Sequence, residues 1–430
     1  MMHRRVIFVL SSFFLLCARP CSAQTAQTLT LQDAERIAIQ NHPQIQAATY
    51  LASAAAAHVK EVRSAYYPQA YGSLTGVEAE NDSRVSAGGL SNSIIYDRYA
   101  NGLTVGQLFT DFGRTHELVK SANLHAQAQQ ENVTTTRADV LLLVDQTYYG
   151  ALKAQAVLRV AQETVKDRQL ISDQVTVLAK NQLKSELDVS FANVDLAQAQ
   201  LLLVQAQNDV EASLAELSTA LGFADQRKFT LNEEPMPSTP PADLSSLIVQ
   251  AMRDRPELVG QRLDVNSAKS YASAERDLWF PTISGVGTAG ITPYREDTLA
   301  SRYAAAGFNV NIPLFNGHLY GALRSEADSQ ARAQEQYLRD LQDRIARDVH
   351  TAWLNSNSAF QRLSLIDQLL HEATQALNLA QARYKLGLSS IIELSQAQLN
   401  MTQAEISQAS AKYDYQTQLS ALNYQLGALH

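Results

Sequence analysis

The chain contains two copies of one unit, and this repeat restricts the possible folds more than its length does. LQDAERIAIQNHPQIQAA (residues 31–48) aligns with LSSLIVQAMRDRPELVGQ (residues 244–261), so that Pro43 lies over Pro256. Each of these prolines fits the first turn of a helix, where the missing N–H costs nothing. Each copy therefore begins with a short helix and continues directly into a second one.

The alignment continues through most of both halves. The aligned pairs further along are Lys180 with Lys385, Asp188 with Glu393 and Gly222 with Gly427. EEPMPSTPPAD (residues 233–243) separates the copies and is too rich in proline for a helix or a central strand. We predict a first repeat over residues 24–232, a linker over 233–243 and a second repeat over 244–430.

The first 23 residues have the pattern of a secretory signal peptide. Arg4 and Arg5 precede the apolar run VIFVLSSFFLL, and Cys21-Ser22-Ala23 offers small residues for cleavage. We therefore expect an exported protein whose mature chain has no cysteine. The formal net charge of −8 argues against nucleic acid as a partner. After the signal, no apolar stretch has the length of a transmembrane helix.

Each copy has two glycine-containing segments that we predict to be strands. In RYAAAGFNVNIPLF, the side chains of Phe308, Val310 and Ile312 share one face and alternate with polar or small residues. Aromatic residues gather at both ends of these segments, as in the interfacial girdles of a membrane barrel. A soluble sheet packed on helices explains the strands equally well. Loops 81–97 and 294–301 would face the exterior.

Long helices follow the strands in both copies. No proline occurs between Pro68 and Pro235, and none follows Pro313. In the second copy, apolar or small residues recur with alternating spacings of four and three from Ile345 to Tyr384, which is the period of a left-handed coiled coil. A straight helix over residues 114–180 would extend about 100 Å. The chain is therefore mainly α with a small β part.

The stretch ARYKLGLSSIIELSQAQ interrupts this seam. Gly387 is suited to the left-handed conformation that ends a helix, and Ser389 or Ser390 to capping the next one. We therefore predict a tight reversal at the tip of a helical hairpin. The first copy lacks glycine at its tip, and there we predict Asn181 as the left-handed residue and Ser185 as the cap.

PLFNG, QLFTDFG and RYKLGLSSIIELSQAQ, in this doubled order, resemble the TolC-like outer-membrane efflux proteins. The resemblance covers nearly all of residues 31–427. It implies a homotrimer in which four strands per chain form a 12-stranded outer-membrane β-barrel that continues into a periplasmic α-helical coiled-coil barrel. Strand number independently favours a trimer, because four strands cannot close a barrel and eight leave an interior filled by side chains.

The resemblance also implies a function, which is passive exit of substrates from periplasm to exterior through an outer-membrane channel. Such a channel serves tripartite efflux or type I secretion, and its partners are a periplasmic adaptor and an inner-membrane transporter. The hairpin tips would form the periplasmic entrance and meet the adaptor. The tip residues are Asn181, Gln182, Leu183 and Lys184 in the first copy and Leu386, Gly387, Leu388 and Ser389 in the second.

By position, Asp188 and Glu393 match the acids that form pore-narrowing rings in the family. A further acid expected three residues later is Gln396, and an arginine that links neighbouring chains is Ser389 here. We therefore expect a different entrance lock, with Tyr384, Arg383 and Lys184 as candidates. The alternative for both acids is an ordinary role at a helix N-terminus, where the dipole favours negative charge.

Other motifs give no basis for an enzyme or a cofactor. GVGTAG (residues 285–290) satisfies the dinucleotide pattern GxGxxG, but Pro293 follows where a helix should begin. The histidines show no paired spacing of metal ligands, so no metal site is predicted. The alternative function is a periplasmic coiled-coil adaptor or scaffold without a pore, which would not need two strand pairs with aromatic ends.

Overall fold

The computed structural model describes residues 27–80, 95–237, 239–241, 243–295, 297 and 299–429. The predicted signal peptide and most of the first predicted exterior loop lie outside these residues. The first half contains β1 (Gln27–Leu29), α1 (Leu31–Asn41), α2 (Pro43–Arg63), β2 (Gln69–Val77), β3 (Arg98–Thr110), α3 (Arg114–Lys180) and α4 (Glu186–Ala220). The rest contains β4 (Phe229–Leu231), α5 (Leu244–Asp254), α6 (Pro256–Arg276), β5 (Thr282–Arg295), β6 (Arg302–Asn311), α7 (Leu319–Lys385) and α8 (Ile391–Gln425).

The two halves repeat the same helices with the same lengths. The short helices α1 and α5 have 11 residues each, and α2 and α6 have 21 each and begin at the predicted prolines. The long helices α3 and α7 both have 67 residues, and the return helices α4 and α8 both have 35. The sequence repeat is thus matched element by element in three dimensions.

The four predicted strands form one antiparallel sheet in the order β2-β3-β5-β6. The central pairing joins the two halves, because β3 and β5 align Gly102 with Gly290 and Thr104 with Thr288. The ring of Tyr303 lies over the space left by Gly102 and Gly290, so neither glycine has room for a side chain. β6 is solvent-exposed along its whole length, and both outer strands leave an unpaired edge among the described residues.

A second, two-stranded sheet was not predicted from the sequence. β1 and β4 pair in parallel over three residues each, with Leu29 opposite Leu231. The hydroxyl of Tyr148, on α3, lies 2.8 Å from the Leu29 carbonyl oxygen and 2.7 Å from that of Asn232. This contact fixes both short strands against the largest apolar cluster of the first half, which also contains Tyr148.

The predicted coiled-coil seam is buried between the long helices. On α7 the buried positions include Ile345, Val349, Ala352 and Tyr384, and on α4 they include Ala192. The small side chains among them, Ala352 and Ala192, permit close approach of the helices. None of the helices in the described ranges combines the length and hydropathy needed to cross a membrane.

Candidate functional site

Both hairpins end in the same kind of turn, which contains one residue with positive φ. Gly387 has φ +71° and Gln182 has φ +58°. In the first turn the Leu183 N–H donates to the Leu178 carbonyl at 2.9 Å, and in the second the Leu388 N–H donates to the Arg383 carbonyl at 2.8 Å. These are the six-to-one bonds of a Schellman motif, which satisfies the last carbonyls of each long helix.

The prediction that Asn181 is the left-handed residue is wrong. Asn181 has φ −93°, and its side-chain amide donates instead to the Val177 carbonyl at 2.8 Å. Gln182 takes the left-handed conformation instead. It lies two residues after the last helical residue, Lys180, as Gly387 does after Lys385. Position in the repeat therefore outweighs the intrinsic preference of asparagine for this conformation.

The return helices begin with the predicted serine caps. Ser185 and Asp188 form a reciprocal capping box, in which the Asp188 N–H donates to the Ser185 hydroxyl at 3.2 Å and the Ser185 N–H donates to the Asp188 carboxylate at 2.9 Å. At the second tip the cap is Ser390, whose hydroxyl accepts from the Glu393 N–H at 3.4 Å. Both candidate pore acids thus occupy the third helical position.

One contact joins the two hairpins at their tips. The Lys184 ammonium lies 3.7 Å from the centroid of the Tyr384 ring, and it donates to the Tyr384 carbonyl at 3.4 Å. Tyr384 is 6% exposed, and its hydroxyl has no hydrogen-bond partner among the described residues. Burial and the nearby Asp188 carboxylate raise the pKa of Tyr384 to about 12. The structure therefore brings three predicted residues together as a cation–π contact beside a carboxylate.

The third lock candidate, Arg383, contacts its own hairpin. Its guanidinium lies 3.0 Å from the Glu393 carboxylate, and it donates to the Leu388 carbonyl at 3.4 Å. This ion pair links the end of α7 to the start of α8. It also places a positive charge beside Glu393, one of the two candidate pore acids.

The remaining tip residues present an apolar surface. Leu183, Leu386 and Leu388 are each about two-thirds exposed or more. Ser389 is half-buried, and its hydroxyl has no hydrogen-bond partner within the part of the chain that the structure describes. Exposed leucines at the end of a long hairpin are typical of a surface that is covered in an assembly.

Two polar contacts between the hairpins were not predicted. Arg168, which is 8% exposed, donates to the Thr402 hydroxyl at 3.1 Å, and the Ser395 hydroxyl donates to the Asp195 carboxylate at 2.5 Å. Burial lowers the pKa of Arg168. All four side chains line a cavity of about 240 Å³ between α3, α4 and α8.

A signal for this contact was present in the repeat. With Lys180 matched to Lys385, Arg168 aligns with Ala373, which is buried in the coiled-coil seam of α7. A charged residue at a seam position requires polar partners, and here they come from the other hairpin.

The rejected dinucleotide motif lies inside a strand. Gly285 to Gly290 belong to β5, which continues to Arg295, so no helix N-terminus follows the glycines. Within the described ranges, no three histidine, cysteine, aspartate or glutamate side chains are placed to hold a metal ion.

Comparison with protein families gives a match over both halves. A family model described as outer membrane efflux protein matches residues 36–223 and 247–428. Among curated proteins, the alkaline protease secretion protein AprF of Pseudomonas aeruginosa is 24% identical, over all of this chain and 90% of the relative. Outer membrane protein TolC of Salmonella enteritidis is 23% identical, over 77% of this chain and 72% of the relative.

Solved structures share the fold. The outer-membrane channel OprN superimposes with a TM-score of 0.82 at 18% identity, covering 93% of this chain and 90% of that one. CusC superimposes with a TM-score of 0.80 at 18% identity, covering 92% of both chains. Each superposition covers nine-tenths or more of both chains.

Proposed function

Because the chain belongs to the outer membrane efflux protein family, we propose that it is the outer-membrane channel of a tripartite efflux or type I secretion system. Its helical part lies in the periplasm and its sheet in the outer membrane. Substrates pass outward through it passively, so catalysis and a bound cofactor have no part in the proposed mechanism. Its relatives include an alkaline protease secretion protein and a cation efflux system protein, and a passive channel is compatible with both.

The open sheet is the observation that carries this proposal. In the described part of the chain, the four-stranded sheet has unpaired edges at β2 and β6, and an unpaired edge is a template for pairing with another chain. Phe308 is 77% exposed, and Leu314 and Phe315, which follow β6, are exposed by 88% and 80%. Three copies would pair these edges into 12 strands and present the apolar side chains to lipid. The repeats at residues 24–232 and 244–430 would then alternate around the wall.

The full mature chain, purified from membranes in mild detergent, tests the proposal. We expect a trimer by light scattering, a band that changes mobility on heating, and ion conductance in a planar bilayer. A trimer is expected because a monomeric four-stranded sheet would expose the unpaired backbone groups of β2 and β6 to lipid. A monomer that stays in the soluble periplasmic fraction and conducts no ions would instead support the coiled-coil adaptor or scaffold.

At the periplasmic end, we propose that the hairpin tips form the entrance. Threefold symmetry would place three copies each of Asp188 and Glu393 around the axis. The Lys184–Tyr384 contact would hold the two hairpins of each chain together in the closed state, with Arg383 restraining Glu393. Leu183, Leu386 and Leu388, with Asn181, Gln182, Gly387 and Ser389, would meet a periplasmic adaptor, which in turn holds an inner-membrane transporter.

The charge of the entrance gives a prediction for ion selectivity. In the double variant Asp188→Asn, Glu393→Gln, we expect the permeability ratio of cations to anions to fall about twofold or more, because rings of carboxylates attract cations to a narrow lumen. Reversal potentials of single channels in a salt gradient measure this ratio. The control is Glu186→Gln, which removes an exposed acid from the same first turn of α4. If control and double variant shift selectivity equally, Asp188 and Glu393 do not line the constriction.

A further inference from the structure

A groove between α6 and α7 is lined by basic residues although the chain as a whole is acidic. Its volume is about 420 Å³, and its cationic residues are Lys269, Arg276, Arg324 and Arg332. Lys269 lies 2.7 Å from Glu335, and Arg324 lies 3.7 Å from Asp328. Two carboxylates among the lining residues therefore face four cations. Arg276 also lies 3.3 Å from the carboxylate of Asp277, which follows it at the end of α6, and Arg332 has no ion-pair partner in the described part of the chain.

The groove lies where the helices meet the sheet. Arg276 is the last residue of α6, and β5 begins six residues later at Thr282. Arg324 is in the second turn of α7, about 8 Å along the axis from its first residue. Between these arginines and the sheet, the rings of Trp279 and Tyr320 meet edge to face at 5.7 Å. Tryptophan and tyrosine are enriched at membrane–water interfaces, so the arginines lie at headgroup level.

The groove opens on the face of the helical wall that also carries α1. His125 on α3 and Asp264 on α6 contact each other at 2.9 Å on the opposite face. On α3, the side chain of Asp145 points about 200° away from that of His125, so it lies on the other face of the wall. The Asp145 carboxyl group is hydrogen-bonded to Glu35, which places α1 on that face. On α6, the side chain of Ser273 points about 180° away from that of Asp264. Because Ser273 lines the groove, the groove lies on the same face as α1. A helix packed on the inner surface of the tube would obstruct the channel, so α1 lies on the outer surface. The groove is on the same face of the wall as α1 and therefore opens outward.

We propose that this groove binds the phosphate of an anionic glycerophospholipid in the periplasmic leaflet of the outer membrane. The inference rests on the proposed function, since it needs the sheet to lie in that membrane. Arg276 and Arg324 supply the guanidinium groups nearest the headgroups, and the planar guanidinium matches phosphate oxygens in geometry and charge. Lys269 and Arg332 lie further along the groove and add to its positive potential.

The test uses the full-length trimer in mild detergent, first checked for ion conductance and then titrated with phosphatidylglycerol or phosphatidylcholine. Native mass spectrometry counts the lipids retained. We expect preferential retention of phosphatidylglycerol and a loss of about tenfold in its affinity in Arg276→Gln, Arg324→Gln, because each cation near an anionic lipid surface strengthens binding severalfold.

The matched control is Arg36→Gln, Arg253→Gln, which removes two exposed arginines that also pair with a neighbouring aspartate on their own helix or beside it. It should retain phosphatidylglycerol as the wild type does.

Equal retention of the two lipids, or an equal loss of affinity in the control variant, would overturn the proposal. Inorganic phosphate that displaces the lipid at equal concentration would identify a free-phosphate site instead. A trimer that conducts ions without preferring the anionic lipid refutes this inference alone, whereas a monomer without conductance refutes the proposed function.

Discussion

Replacing Gly222 with alanine is expected to destabilise the folded chain by about 3 kcal/mol. Gly222 ends α4 with φ +80°, and a Cβ there would lie 2.9 Å from the Asn41 carbonyl carbon and oxygen. The left-handed conformation costs a non-glycine residue about 1 kcal/mol or more. Forcing a methyl group into a filled space adds about 1–3 kcal/mol, and here the obstacle is backbone that no rotamer change relieves. Loss of helical circular dichroism on heating measures the effect.

Gly387→Ala provides the matched control for this prediction. Gly387 has φ +71°, so it has nearly the same backbone conformation, but apart from its own chain neighbours no heavy atom of the described residues lies within 4 Å of the position of an added Cβ. We expect it to lose only the conformational part, about 1 kcal/mol. Gly427, the counterpart of Gly222 in the second repeat, should behave like Gly222, because its Cβ would lie 2.8 Å from the Asp254 carbonyl oxygen. Equal unfolding temperatures for Gly222→Ala and Gly387→Ala would show that close approach contributes nothing.

These glycines illustrate which parts of the fold could be predicted from the sequence. The alignment of Pro43 with Pro256 located two helix starts, and Gly387 located a helix end, because such positions depend on local backbone conformation. The helical seam was predictable for a similar reason, since its period is visible in residues such as Ile345 and Val349. Local chemistry repeated in two copies leaves little freedom in the order of elements.

Contacts between distant segments were less accessible. The pairing of β1 with β4 involves three residues per strand and depends on Tyr148, far from either strand in sequence. A segment this short has no measurable periodicity. Of the tip residues, the sequence located the position of Lys184 and Tyr384 but gave no reason for their cation–π contact, since only the folded hairpins bring them together.

A carboxyl pair between α1 and α3 is another long-range contact, and it has consequences for pH dependence. Asp145 is 3% exposed, and its carboxyl group is hydrogen-bonded to Glu35 and to Ser420 of α8. Burial, the charge of Asp145 and a hydrogen bond to it raise the pKa of Glu35 from 4.5 to about 7, with a smaller contribution from Glu234. Burial also raises the pKa of Asp145. Two carboxyl groups in contact at a buried site favour retention of a proton.

The sign of the pH effect follows from the raised pKa. Between pH 4.5 and about 7 the folded chain holds a proton that the unfolded chain releases. Stability is therefore highest below this range and falls as the pH rises through it. Full burial of Glu35 would make the loss about 3 kcal/mol, and its partial exposure to solvent reduces this to about 1–2 kcal/mol. The unfolding temperature of the wild type should accordingly be lower at pH 8 than at pH 5.

Asp145→Asn should reduce this pH dependence, leaving the part that burial of Glu35 causes, and should make the chain more stable than the wild type at pH 8. The amide is close to the carboxyl group in size and can still bond to Glu35 and Ser420, but it carries no charge to oppose ionisation of Glu35. Thermal unfolding of both chains at pH 5 and pH 8 measures the difference. Asp209→Asn makes the same chemical change at an exposed position of α4 and should leave the wild-type pH dependence intact. If Asp145→Asn loses as much stability as the wild type between these two pH values, the pair does not hold the proton, and the decline must arise from other groups.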